Sequence, residues 1–321
     1  MTLPSTLIAV SVNPAVDRRI WLDRLELGQV NRAKRSVATA GGKAANVALA
    51  ARALGQPVIW VGLLGGAAGA ECEKQLIDAS VELCIVRTRA ETRVNLELIE
   101  PDAAVTEVLE PGGEVTADEL DQLDRICKDL FAKHRERAVV VLSGSLPPGA
   151  PSDLYSVLTQ RAHGSGCRVV LDTAGEPLLA GLMAGPELVK PNAQEATAAL
   201  GFPVRDTESA ARAAQALVAQ GAGAAAVSRG PDGIVWVGRN AEHGWWARAG
   251  AVNSGSAVGS GDAAVAALAV GLLHAIPIER ALIHAAACGA ANCASNAKGK
   301  ISLAEVQAFA DDAVLESIRL P

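Results

Sequence analysis

Positive charge is not in excess in this chain of 321 residues: 29 Lys and Arg against 35 Asp and Glu leave a formal net charge of −6. Binding to nucleic acid or to an anionic membrane surface by counterion release needs clustered cations, so both partners are disfavoured. The nearest basic run, Arg32-Ala33-Lys34-Arg35, is short and reads as a solvated edge. Long apolar runs are missing too, because no stretch reaches membrane-spanning length without a charge or a turn residue. The opening residues, MTLPSTLIAVSVNPAVD, have no positive n-region and turn polar too early for a signal peptide. They read as a first strand, and the expected compartment is the cytoplasm. Cysteine pairs are lacking: Cys72, Cys84, Cys127, Cys167, Cys288 and Cys293 form no CxxC and have no matched histidines. Neither a zinc site nor a disulfide framework is suggested, and buried thiols are expected. None of the five histidines belongs to an HExxH spacing, and the absence of GxxxxGK[ST] excludes a P-loop ATPase at the level of motif. No internal repeat, low-complexity linker or charge block divides the chain.

What is present is ample core material, with half of the residues apolar and a fifth charged. Short β-branched runs alternate with Ala- and Leu-rich helical stretches. Strands are expected at Ala138 to Leu142, Arg168 to Leu171, Glu187 to Val189 and Ala224 to Val227. Continuous apolar strands imply a sheet buried on both faces, hence mostly parallel and flanked by helices. Residues 12–38 and 87–110 break this rhythm, and Thr92 to Ile99 reads as half-exposed antiparallel strand. These two segments are expected to pair into a small sheet over one edge of the main one, within a single domain spanning residues 1–321.

Open parallel sheets bind ligands beyond the carboxyl ends of their strands, so chemistry is sought in those loops. In Ala40-Gly41-Gly42-Lys43-Ala44-Ala45-Asn46, paired glycines and a lysine lead into a helix expected over Val47 to Leu54; an anion-binding loop and a tight structural turn suit it equally. Leu142-Ser143-Gly144-Ser145-Leu146-Pro147-Pro148-Gly149 ends a strand in small hydroxyl residues. Asn192 and Glu195 stand three apart at a helix start, where they could hold hydrated Mg²⁺ or simply form an N-cap with an acid at its third residue. Gly259-Ser260-Gly261-Asp262 precedes an apolar helical stripe of Val265, Leu268, Ala269 and Leu272. Its amides and helix dipole make an anion-binding concavity, and Asp262 reads either as a dipole partner or as a reacting carboxylate. The same letters satisfy a relaxed GxGxxA. A second helix, Ile278 to Ser295, follows with no intervening strand, so the dinucleotide-binding reading fails on context.

In their order these loops resemble the phosphofructokinase-B family of carbohydrate kinases, in the ribokinase superfamily. The resemblance covers nearly the whole chain through eight motifs: NPAVD (13–17), GGKAAN (41–46), TRVN (92–95), EPG (110–112), LSGSLPPG (142–149), KPNAQE (190–195), SRGPDG (228–233) and GSGD (259–262). It implies a ribokinase-like α/β three-layer sandwich with a mostly parallel central sheet and a small β-sheet lid. It implies a kinase using ATP and Mg²⁺ on a ketose phosphate: fructose 1-phosphate to fructose 1,6-bisphosphate first, with tagatose 6-phosphate or fructose 6-phosphate as alternatives. A non-catalytic sugar or nucleotide sensor on the same fold is the reading from a different class.

The roles implied by the resemblance are Asp262 as general base with Gly259, Ser260 and Gly261 as an anion hole. Asp17, Gly42 and Asn46 would meet sugar hydroxyls, while Lys43 and Arg93, with Ser143 and Ser145 nearby, would hold the existing phosphate. Lys190, Asn192 and Glu195 would meet the ATP phosphates, Asn192 and Glu195 serving Mg²⁺ through water. Ser228, Gly230 and Gly233 would line the nucleotide site, and Asn292 would lie near the adenine. Asp172 reads better as a turn residue than as a further ligand. A homodimer paired through the lids is implied as well. Two departures stand out: Ala44 replaces the family's usual glycine, and Ser254 to Val258 differs from the common approach to the anion hole.

Overall fold

The computed structural model describes residues 5–101, 105–252, 256–295, 299 and 301–320. The main sheet has ten strands in the order β14 (Val314–Arg319), β13 (His243–Arg248), β12 (Ile234–Gly238), β11 (Ala224–Ser228), β10 (Leu188–Val189), β9 (Arg168–Asp172), β8 (Ala138–Ser143), β1 (Thr6–Ser11), β4 (Val58–Leu64) and β5 (Glu82–Arg87). From β11 to β5 every pairing is parallel, and the three strands beyond β11 add antiparallel. The four strands expected from apolar runs are β8 to β11, each within a residue of the expected bounds.

Strand alternation separates two cores. Leu7 and Ala9 point into one, Ile8 and Val10 into the other. The first core is covered by α1 (Lys43–Ala53), α2 (Gly66–Asp78), α8 (Ser260–Leu273), α9 (Ile278–Ala294) and α10 (Leu303–Asp311). The second lies under α3 (Ala117–His134), α4 (Leu154–Gly164), α5 (Glu176–Leu182), α6 (Ala193–Leu200) and α7 (Thr207–Ala219). Helices on both faces of one sheet make three layers. In the first core, α1 packs on α8 through alanines, among them Ala44, Ala48, Ala263 and Ala264. Small contact residues shorten the distance between helix axes, which brings the amino ends of both helices to one place.

Helix α1 begins four residues before the expected Val47, because Gly42 caps it at φ 82°, a left-handed conformation that favours glycine. A Cβ there would stand 3.2 Å from Pro14 Cα. The small sheet runs β3 (Arg35–Gly41), β2 (Ala15–Trp21), β6 (Arg93–Ile99) and β7 (Val105–Val108). The expectation for 92–99 is corrected in part: β6 pairs antiparallel with β7 but parallel with β2. The reason is continuity, since β2 continues from β1 and β6 from β5, and those two run the same way in the main sheet. Gln75 of α2 anchors β3, accepting from the Ala40 amide at 2.7 Å and donating to the Ala38 carbonyl at 3.2 Å. Among the described residues no helix is long and apolar enough to cross a membrane. Four cysteines are buried, while Cys84 and Cys293 are half-buried.

Candidate active site

The carboxyl ends of β1, β8, β9 and β10 meet the amino ends of α1 and α8, and most of the expected residues converge there. On the small-sheet side, Asp17 is 3% exposed and accepts from Asn95 Nδ2 at 2.9 Å. Gly41 makes room for it, because a Cβ there would lie 2.3 Å from Asp17 Cγ. Arg93 donates through Nη1 to the Glu110 carbonyl at 2.8 Å and through Nη2 to the Asn13 carbonyl at 3.0 Å, and its buried Nε has no partner among the described residues. Carbonyls orient this guanidinium without cancelling its charge. Burial is the main influence on it and works against its protonation, while Asp17 and Glu110 support it.

Sequence reasoning gave Asn13 no role. Its Nδ2 donates to the Pro111 carbonyl at 3.0 Å and the Ser145 hydroxyl at 3.1 Å, tying three of the motif loops together. The available signal was the presence of Asn13 in NPAVD and of Pro111 in EPG, two motifs that this hydrogen bond joins.

The centre is a cluster of buried charge. Asp172, expected to be a turn residue, is its hub and is 1% exposed. It accepts from Ser143 Oγ at 3.1 Å and from Lys43 Nζ at 3.4 Å, with Lys190 Nζ at 3.7 Å. Burial opposes its ionisation, but Lys190, Lys43 and the Ser143 hydroxyl outweigh burial and hold the carboxyl below its usual range. Lys43 also donates to Glu195 Oε1 at 2.9 Å. Burial favours the neutral amine of Lys43, yet Asp172, Glu195 and Asp262 together raise its pKa.

Asp262 lies in the first turn of α8, 7% exposed, and its Oδ2 accepts from Asn46 Nδ2 at 2.8 Å. Among the described residues no protein group bonds its Oδ1. A helix N-terminus by itself favours an ionised Asp262, and the surroundings of this carboxyl oppose that. Burial first, and the neighbouring Asp172 second, push its pKa up to about 7, against the pull of Lys43, Asn46 and Lys190.

The turn before α8 is a cradle with one amide fewer than expected, since Ser260 N–H donates to the Ala257 carbonyl at 3.1 Å. Gly259 has φ 83°, and a Cβ on Gly261 would stand 3.4 Å from Lys190 Nζ. First-turn amides have no intrahelical acceptors, so those of Gly261 and Asp262 are available to an anion beside Lys190. Asn292, expected near the adenine, is fully buried and engaged as a brace. It donates to the Val258 carbonyl at 3.0 Å and the Ser260 hydroxyl at 3.4 Å, and accepts from Gly299 N–H at 2.9 Å. Ser254 and Gly255, part of the unusual approach noted in the sequence, lie outside the described residues.

On the far side, Asn192 and Glu195 form a reciprocal cap on α6. Asn192 Oδ1 accepts from Glu195 N–H and Glu195 Oε2 accepts from Asn192 N–H, both at 2.8 Å. Their oxygens are already engaged, so they fit Mg²⁺ through its water shell, as its small hard ion prefers. Among the described residues no three His, Cys, Asp or Glu side chains gather as a direct metal set. Asn192 also bridges to Ser228, which places the 228–233 turn beside it. Gly233 is required by packing, since a Cβ would meet the Ala247 carbonyl oxygen at 2.2 Å; Gly230 faces open space at φ 58°. The α6 cap follows Lys190 closely in the chain, and Lys190 Nζ adjoins the glycine cradle at Gly261.

Similar solved structures share this fold. Phosphofructokinase-2 from Escherichia coli, in complex with potassium, is 28% identical with a TM-score of 0.86, covering 97% of this chain and 99% of that one. A possible 1-phosphofructokinase from Thermotoga maritima, 24% identical with a TM-score of 0.87 over 98% and 100% of the two chains, shares the fold. Fold and site together define a ribokinase-like α/β kinase. Residues 11–302 match the pfkB family carbohydrate kinases, and the chain belongs to that family. A relative named 1-phosphofructokinase from Xanthomonas campestris pv. campestris is 38% identical over 271 residues, 83% of this chain and 84% of its own. Another of that name from Haemophilus influenzae is 32% identical over 287 residues, 89% and 90% of the two chains.

Proposed function

We propose that the chain transfers the γ-phosphoryl group of ATP to the free primary hydroxyl of fructose 1-phosphate, giving fructose 1,6-bisphosphate and ADP. The observation that carries this is Asp262: a buried carboxylate at a helix amino end, steadied on one oxygen by Asn46 and open on the other. The names of the relatives from Xanthomonas campestris and Haemophilus influenzae support the choice of acceptor.

Asp17, fixed by Asn95, receives sugar hydroxyls, whose donors suit a carboxylate. Arg93 and Lys43 hold the existing phosphate above the Ser143–Ser145 loop. Lys190, Asn192 and Glu195 face the nucleotide phosphates and their hydrated Mg²⁺, which supplies charge neutralisation when bound. Ser228 to Gly233 borders the nucleotide. Asp262 Oδ1 takes the hydroxyl proton as the sugar oxygen bonds to phosphorus and the bond to the ADP oxygen breaks. Gly261 and Asp262 amides, with Lys190, stabilise charge on the transferring oxygens.

Exposed Val108 at the end of β7, with exposed Leu27 and Val30 in the β2–β3 loop and Leu109 just past β7, supports a lid role for the small sheet and a homodimer paired through two lids. Light scattering that reads a monomer mass at micromolar concentration would remove the dimer. Use of ATP supports a cytoplasmic location. The reaction itself is tested by ADP release across fructose 1-phosphate, fructose 6-phosphate, tagatose 6-phosphate, ribose and adenosine. Fructose 1-phosphate is expected to give the highest kcat/KM. Efficient turnover of ribose or adenosine without any ketose phosphate would overturn the assignment, and ligand-induced thermal stabilisation without turnover would favour a sensor.

A further inference from the structure

Lys43 has two places to put its charge. The loop Ser143–Ser145 adjoins it, since a Cβ on Gly144 would stand 3.9 Å from Lys43 Cβ, and is tied to Arg93 through Asn13, which donates to Ser145 Oγ and accepts from Arg93 Nη2; the Gly144 carbonyl accepts from Tyr155 Oη at 3.1 Å. Lys43 and Arg93 both act electrostatically on that same phenol. An anion over this loop therefore meets both cations. Yet the Lys43 ammonium is already committed, to Glu195 Oε1 and to Asp172 Oδ1, the carboxylate whose other oxygen takes the Ser143 hydroxyl. Glu195 has one oxygen to spare, because Oε2 is committed to the cap of α6. Whatever else needs that carboxylate, a water of hydrated Mg²⁺ or a rearranging phosphate, competes with Lys43 for Oε1. Lys43 is a third exposed on a flexible four-carbon stem, so its exchange between partners needs no unfolding.

We propose that Glu195 is a positioning residue that couples the two substrates: it holds Lys43 away from the acceptor phosphate until nucleotide occupies its own side. Resting on the fructose 1-phosphate reading, this adds an order to binding, with Mg·nucleotide releasing Lys43 and tightening the acceptor. By linkage the acceptor tightens the nucleotide by the same factor.

The test is calorimetric titration of the parent and of Glu195→Gln with fructose 1-phosphate and, separately, inorganic phosphate. Each is run alone and with Mg²⁺ and a non-hydrolysable ATP analogue. Glutamine retains the capping box, so α6 stays formed. In the parent, the analogue is expected to tighten fructose 1-phosphate by roughly fivefold or more, the lower end of common coupling factors. In Glu195→Gln both anions bind tighter than in the parent without nucleotide, by about the same factor, and the analogue adds nothing further. A residue that only bound nucleotide or only capped a helix would leave acceptor affinity unmoved. Equal or weaker binding of both anions by Glu195→Gln overturns the coupling while leaving the substrate reading intact. Tighter phosphate with no fructose 1-phosphate bound by either form supports the coupling and overturns the substrate reading.

Discussion

The two sides of the site are built by different means. On the nucleotide side the contacts are local: Asn192 with Glu195 three residues on, and the Arg229 amide with the Gly233 carbonyl. On the acceptor side the partners are distant in sequence. Asn95 reaches Asp17 across 78 residues, Asn13 reaches Ser145 across 132, and Asn46 reaches Asp262 across 216. Local caps form wherever their helix forms, whereas the acceptor side exists only once the small sheet and α1 are docked on the main sheet. On the proposed assignment, nucleotide binding is thus a property of the carboxyl ends of β10 and β11, and sugar recognition a property of the complete fold.

The largest effect should come where the two sides meet. Asp262→Asn keeps the size and the bond to Asn46 but removes the base, so kcat is expected to fall by roughly 10²–10⁴-fold. In the parent, kcat/KM should rise with pH through about 7, since the raised carboxyl must lose its proton to act. The stability sign runs the other way. The native Asp262 binds a proton more tightly than the unfolded one, so its contribution is full below the ordinary carboxylate range and lost as pH rises through about 7. Asp262→Asn should therefore melt no lower than the parent at pH 8. Near-normal kcat with a much lower Tm would make Asp262 a structural cap.

A smaller effect, confined to the acceptor side, is expected from Arg93. Its phosphate bond persists from ground state to transition state, so Arg93→Ala should raise KM for fructose 1-phosphate with kcat nearly held. Hydrogen bonds to charged groups are worth about 1.5–3 kcal/mol, or roughly 10–150-fold. Arg93→Lys keeps the charge but not the fork that grips two carbonyls, and should fall between. Steady-state kinetics in both substrates decides it: a fall in kcat at unchanged KM, or a matching rise in KM for ATP, would break the division between the sides.

The same division explains what could be read from the letters. Strands β8 to β11 were legible because a strand buried on both faces must be apolar throughout. The Asn192–Glu195 cap was legible because its partners share a helical turn. Asp172 was not, because nothing near it in sequence reveals that Lys43, 129 residues away, donates to it. The bracing of Asn292 was illegible for the same reason: an amide on a helix looks available until the Val258 and Gly299 backbones are seen against it. The parallel pairing of β2 with β6 depends on which strands of the main sheet they leave, a matter of topology that alternation cannot show.

The smallest effect tests whether the nucleotide side is as local as its bonds imply. Asn192 is exposed and its side chain accepts only from the Glu195 amide, so Asn192→Ala removes a cap worth about 1 kcal/mol. In a chain of this size that is a fall in Tm of roughly 2 °C. Aspartate caps as well as asparagine, so Asn192→Asp should restore the melting temperature. It also adds a negative charge beside the nucleotide phosphates, so without the metal it should weaken ATP while Mg²⁺ offsets the repulsion. KM for Mg·ATP should rise severalfold in the alanine variant, and KM for fructose 1-phosphate measured at saturating nucleotide should stay put, because Lys43, the acceptor-side residue bonded to this cap, is released from Glu195 once nucleotide is bound. Saturation matters here: it removes the coupling through Glu195, whose own carboxylate keeps its bond to the residue 192 amide in either variant. An acceptor KM that still moved with Asn192→Ala would show that the cap positions Glu195 and, through it, Lys43, and the two sides would then be one.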